Sequence, residues 1–129
     1  MKEILNPVAS LTFHHLDQVT SFIAGSAGKA YIKTSGEFEI PFAKGAISYS
    51  CTDSSTAGGD LYTVAVNGNL KNKFKKLGQG LLIIELESGE RLLLGEPELP
   101  VTIKITESLM QKSLQISHKS WHEPYFVAN

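Results

Sequence analysis

The sequence predicts a mainly β fold, a β-sandwich or partly open barrel of antiparallel strands, with one short α-helix near residues 69–77. Three observations carry this. Short apolar segments alternate with polar residues along most of the chain and are separated by glycine-, serine- and asparagine-rich turns. The run Leu81-Leu82-Ile83-Ile84 is apolar at every position, as a strand covered on both faces must be. Leu114 and Ile116 oppose Ser113, Gln115 and Ser117, the signature of an antiparallel sheet with one wet face.

Taken in order, Ala9–His14 is the first strand, with Leu11 and Phe13 on one side. Leu16, Val19 and Ile23 fit a helical spacing, but Val19, Thr20, Phe22 and Ile23 favour a strand over Gln18–Ala24. Gly25-Ser26-Ala27-Gly28 then reads as a surface loop. Ala30–Thr34 and Glu37–Phe42 flank Ser35-Gly36, a tight hairpin if the glycine takes a positive φ. Ile47–Thr52 alternates Ile47, Tyr49 and Cys51, and 53–60 is small, polar and loop-like. Asp60–Asn67 sets Tyr62, Val64 and Val66 against Leu61, Thr63 and Ala65.

One segment breaks the β pattern. Leu70, Phe74 and Leu77 recur at helical spacing, Gly78 follows as a stop, and the result is a helix of about two turns. Lys71, Lys73, Lys75 and Lys76 occupy its other positions. Beyond it, a two-residue Ser88-Gly89 loop would pair Leu86 with Arg91 and Ile84 with Leu93. Val101–Thr106 and Lys112–Lys119 close the sheet, giving about eight to ten strands in all.

With 129 residues the chain is expected to form one domain, residues 1–129, large enough for a core without staples. A net charge of −1 provides no global field toward nucleic acid or an anionic membrane. The lone Cys51 excludes an intramolecular disulfide, and its neighbours Ser50 and Thr52 do nothing to activate a thiolate. The N-terminus lacks the apolar stretch of a signal peptide, and no run approaches the ~18 residues of a membrane helix. The expected location is therefore the cytoplasm of the cell that makes it.

Chemistry is sparse. His14-His15 and the His118/His122 pair lack companion ligands at zinc-site spacing, and His118 shares the inward parity of Leu114 and Ile116. Gly25–Lys29 fails the phosphate-loop spacing and is followed by Ala30 where a magnesium-binding hydroxyl would stand. Glu85, Glu87 and Glu90 crowd a hairpin tip, where exposure leaves carboxylates unperturbed and suited to guarding an edge. No catalytic residue, metal ligand or cofactor is assigned. The lysines at 71, 73, 75 and 76 form a local basic face without interleaved aromatics, so nucleic acid is not expected. Trp121, Tyr125 and Phe126 concentrate ring area near the chain end, either folded back or offered to a neighbour. These three aromatics and four lysines are the candidate interaction surface.

The hairpin ending in Gly89, the segment Arg91-Leu92-Leu93-Leu94-Gly95-Glu96-Pro97-Glu98, the Pro100-led strand and the Pro124-Tyr125-Phe126 tail carry a resemblance. Over about residues 60–127 this order resembles small proteins of phage and prophage structural regions in Bacteroidetes-type genomes. The resemblance implies a non-catalytic virion or virion-assembly protein of the tail or head–tail connection. Such a protein would act by self-association or by docking on a ring, with itself or other virion proteins as partners. It carries no functional residue across. The competing expectation is a stand-alone β-barrel module that binds a small ligand or carbohydrate. That reading requires aromatics such as Tyr31, Tyr49, Tyr62 or Trp121 to converge on a pocket. An enzyme would instead bring His14 or His15 to His118 and His122.

Overall fold

The structure, a computed structural model, describes residues 6–25, 28–70, 78–107 and 112–127. Strands β1 (Asn6–His15), β2 (Val19–Ala24), β3 (Lys29–Thr34), β4 (Phe38–Glu39), β5 (Ile47–Thr56) and β6 (Gly59–Leu70) form the first half. The second half contributes β7 (Gln79–Leu86), β8 (Arg91–Leu94), β9 (Val101–Thr102), β10 (Lys104–Glu107), β11 (Lys112–Ser120) and β12 (Tyr125–Val127). Among the described residues the only helical turn is a 3₁₀ turn at Leu16–Gln18, and no helix is long and apolar enough to cross a membrane.

Hydrogen bonds join the strands in the order β10-β11-β6-β5-β1-β7-β8-β12-β3-β2, with β4 on β1 and β9 on β7. The path does not close, so β10 and β2 are its two ends. β1 turns the corner between two packed sheets. Its Asn6 and Pro7 pair with Tyr49 and Ser48 of β5, while Val8 to His15 pair with β7. The register shifts between Val8 and Ser10, and such a bulge bends a strand enough to serve both sheets.

The main core lies between the sheets, where β1, β5, β6, β7, β8 and β11 all contribute buried side chains. A smaller core lies on the back of β7 and β8, sealed by the β2–β3 arm through Ala30 and Ile32. β7 is therefore apolar on both faces for a simple reason. Leu82 and Ile84 enter the main core, and Leu81 and Ile83 enter the smaller one. In β11, Leu114, Ile116 and His118 are buried while Gln115, Ser117 and Lys119 face solvent, as the alternation requires.

The structure corrects several local expectations. Ser35-Gly36 does not close a hairpin, because β3 pairs with β2 and β12 while β4 pairs with β1. The segment is a crossover between different neighbours, held where Ser35 N–H donates to the Gln18 carbonyl (2.8 Å) and His14 Nδ1 donates to the Gly36 carbonyl (3.2 Å). Residues 53–60 are a hairpin tip and not an open loop: β5 and β6 stay paired from Ile47↔Gly68 out to Thr56↔Gly59, leaving only Ala57-Gly58 as the turn. Backbone pairing outlasts the apolar pattern there, so a polar arm continues the sheet.

The β7–β8 register is shifted by one residue from the expected one, with Glu85 opposite Arg91 and Ile84 opposite Leu92. Its loop has three residues, because Leu86 N–H donates to the Glu90 carbonyl (2.9 Å) and Gly89 takes φ +98°. The segment expected as one strand at Val101–Thr106 is split. Val101 and Thr102 (β9) pair with β7, Lys104–Glu107 (β10) pair with β11, and the chain changes sheets at buried Ile103. Asn69 and Leu70, assigned to the helix by spacing, end β6 instead. Residues 71–77, with Lys71, Lys73, Lys75 and Lys76, lie outside the described residues.

Candidate functional site

Among the described residues the sheet path ends at β10 and β2, and these two end strands differ in chemistry. β10 reads Lys-Ile-Thr-Glu, and its exposed Lys104 is the kind of residue that guards an edge against unwanted pairing. β2 reads Val-Thr-Ser-Phe-Ile-Ala, with no charge and no proline. A bulge between Val19 and Ser21 disturbs one end, where Thr20 Oγ1 donates to the Lys33 carbonyl (3.0 Å). From Ser21 to Ala24 the strand is regular. Ile23 stands opposite Tyr31 on the outer face, and the two are 60% and 51% exposed. Phe22 and Ile32, the next pair, point inward to the smaller core. A groove of about 440 Å³ runs beside β2, with Val19, Ser21 and Phe22 on one wall and Glu96, Pro97 and Glu98 on the other.

The C-terminal aromatics fold back but do not form one surface. Trp121 is 61% exposed and lies over the β5–β6 turn, its ring 3.5 Å from where a Cβ on Gly58 would sit. Tyr125 packs against the smaller core, meets Phe22 edge-on at 6.3 Å and stacks on His122 at 4.6 Å. Partial burial, then the Glu96 carboxylate to which it hydrogen-bonds, push its hydroxyl pKa upward. Phe126, on the other face of β12, is half-exposed. Sequence spacing places these rings near one another, and strand alternation then parts Tyr125 from Phe126.

The histidines separate into two places. His14 is buried on β1, bonded through Nδ1 to Gly36, and its Nε2 is buried without a partner among the described residues. His15 packs edge-on against Phe13 at 5.0 Å. At the other place, His122 Nε2 contacts the Glu96 carboxylate and its Nδ1 faces the Glu123 carbonyl at 2.7 Å. His118 lines the same small recess as Glu96 and His122. Among the described residues, no group of three or more His, Cys, Asp or Glu side chains is placed to hold a metal ion. Glu96 is the residue missed by sequence reasoning: 26 positions separate it from His122, and nothing local marks the pair.

Burial holds the His118 pKa below its ordinary value of 6.5, against an opposing pull from Glu96. The unfolded chain therefore binds this proton at a higher pH than the folded protein does. Stability is expected to fall as pH drops through 6.5 toward the lowered folded value, and His118→Leu should flatten that part of the profile. Urea midpoints measured from pH 7.5 to 5 test this; an unchanged slope in the variant would assign the acid sensitivity elsewhere.

The four aromatics of the ligand-module reading only partly converge. Tyr49 and Tyr62 line one open cleft of about 380 Å³, together with Phe126, whereas Tyr31 and Trp121 line other surface. Cys51 lies half-buried beside Tyr49 in the same cleft, and burial raises its thiol pKa, which favours the inert thiol. No protein-family profile, curated protein or solved structure matches this chain.

Proposed function

We propose that this chain is a non-catalytic phage or prophage virion-assembly protein, of the tail or head–tail connection, that works by self-association. The observation that carries the self-association is the uncharged edge of β2, which pairs only with β3 among the described residues, beside the exposed Ile23–Tyr31 pair. The phage setting comes from the likeness of residues 60–127 to small proteins of such gene regions.

The occupant of the edge is a second copy of β2. Two such edges running antiparallel about a two-fold axis satisfy both rows of free N–H and C=O groups at once. Main-chain bonds supply the attraction, and the two Ile23–Tyr31 pairs merge into one apolar strip.

Sedimentation velocity over a wide concentration range tests this. The native chain should form a concentration-dependent dimer, and Ile23→Lys, at an exposed position, should shift it at least about tenfold toward monomer without altering the fold. A native chain that stays monomeric at millimolar concentration would refute self-association. A specific observation, the Tyr49–Tyr62 cleft, also favours the small-ligand module as a second reading.

A further inference from the structure

The cleft of about 380 Å³ opens where the ends of both sheets meet. Alternate residues of β5 put Tyr49, Cys51 and Asp53 along one wall, and Tyr62 of β6 stands directly opposite Asp53. Its floor is apolar: Tyr49, Leu86 and Leu92 are each 6% exposed. Tyr62 and Phe126 supply further ring surface. Three exposed carboxylates, Asp53, Glu90 and Glu123, arrive from β5, the β7–β8 loop and the approach to β12. Among the described residues, no lysine, arginine or histidine lines the cleft.

These carboxylates act on a common point. Burial is the main reason the Tyr49 hydroxyl pKa is raised, with Cys51, Glu123 and Glu90 adding to it. Cys51 is raised by burial, then by Glu123 and Asp53, while its bond to Tyr49 opposes the shift. Glu123 thus acts on both Tyr49 and Cys51, and each of the other two carboxylates acts on one of them. Among the described residues, the charged side chains that line the cleft are all carboxylates.

We propose that this cleft binds an organic cation with an apolar stem, an alkylammonium of the kind a lysine side chain or a free diamine presents. Ring faces attract such a cation through their quadrupoles, and the rim carboxylates add direct charge attraction. The methylene stem can lie against Leu86, Leu92 and Pro124, as amphipathic stems do when the charged head stays near water. An anion would meet three carboxylates and, among the described residues, no counter-charge. A small inorganic cation would gain from the rim but waste the apolar floor. The inference is independent of β2 pairing, since the cleft and the β2 groove share no residue.

The test is NMR titration of the full chain with n-butylammonium, run beside n-butanol, magnesium chloride, 1,5-diaminopentane and N-acetyl-lysine methylamide. Butylammonium should saturate with millimolar affinity and shift resonances of Tyr49, Tyr62 and Phe126. Butanol and magnesium should leave those rings unshifted at the same concentrations. Glu90→Gln with Glu123→Gln, both at exposed positions that leave the fold intact, should weaken binding about tenfold. Phe126→Leu should weaken it severalfold while keeping the charge. Tighter binding of the diamine would identify a free polyamine as the source, and tighter binding of the lysine derivative a protein side chain. No ring shift up to about 100 mM butylammonium, or equal affinity in the doubly substituted variant, would overturn the proposal.

Discussion

Alanine at Gly80 is expected to destabilise the protein by about 3 kcal/mol or more, the upper end for overpacking a core. Gly80 sits opposite His15 at the end of the β1–β7 pairing. A Cβ there would lie 2.1 Å from the His14 carbonyl oxygen and 2.7 Å from the Phe13 ring. The first of these contacts is backbone, so no rotamer change relieves it. β1 would have to lift from β7, and both strands contribute fully buried residues to the main core. Gly58→Ala is the control: its nearest neighbour would be the exposed Trp121 ring at 3.5 Å, ordinary contact, and its cost should stay within ~0.5 kcal/mol. Urea unfolding of both variants decides the matter. A Gly80→Ala midpoint close to the native one would mean that β1 and β7 adjust freely, contrary to a closely packed core.

How much of this was legible depends on the range of the interaction. Alternation in β11 and the unbroken apolar run of β7 report burial directly, because each strand's faces are fixed by residue parity. The edge strand β2 was legible from its β-branched and aromatic content. The Glu87-Ser88-Gly89 loop was legible as a turn but not in length, since one glycine at positive φ serves two- and three-residue loops alike. Ser35-Gly36 has the composition of a hairpin turn and makes a crossover. That choice is set by the distant partners of β3 and β4, which no local pattern encodes. The parallel contact of Phe126 with Lys29 is equally invisible locally.

The cleft shows the same limit at the level of a site. The spacing Tyr49, Cys51, Asp53 could be read as one strand face, but Glu90, Glu123 and Phe126 reach it only through tertiary packing. Conversely, Trp121, Tyr125 and Phe126 were grouped by nearness in sequence and were then divided by the sheet. One lies over a turn, one packs on the smaller core, and one lines the cleft.

Adjacent alanine substitutions at Ile83 and Ile84 should both be costly, by about 2–5 kcal/mol each. In a sheet with one wet face, one of two neighbouring positions points to solvent and its truncation costs almost nothing. Here Ile84 is 0% exposed in the main core and Ile83 is 7% exposed in the smaller one. The two losses should also differ in kind. Ile84 is shared by the packing of both sheets, so its removal should lower protection from hydrogen exchange everywhere. Ile83 is covered by the β2–β3 arm through Ala30 and Ile32. Its removal should speed exchange in β2 and β3 first, leaving the β5–β6 amides closer to their native rates. That pattern would mark the arm as a separately opening unit. An Ile83→Ala variant within ~0.5 kcal/mol of the native chain would show that the arm does not seal the back of β7. A β2 edge carried on so loosely held an arm could not then serve as a firm platform for a second copy, and the dimer should weaken together with the arm.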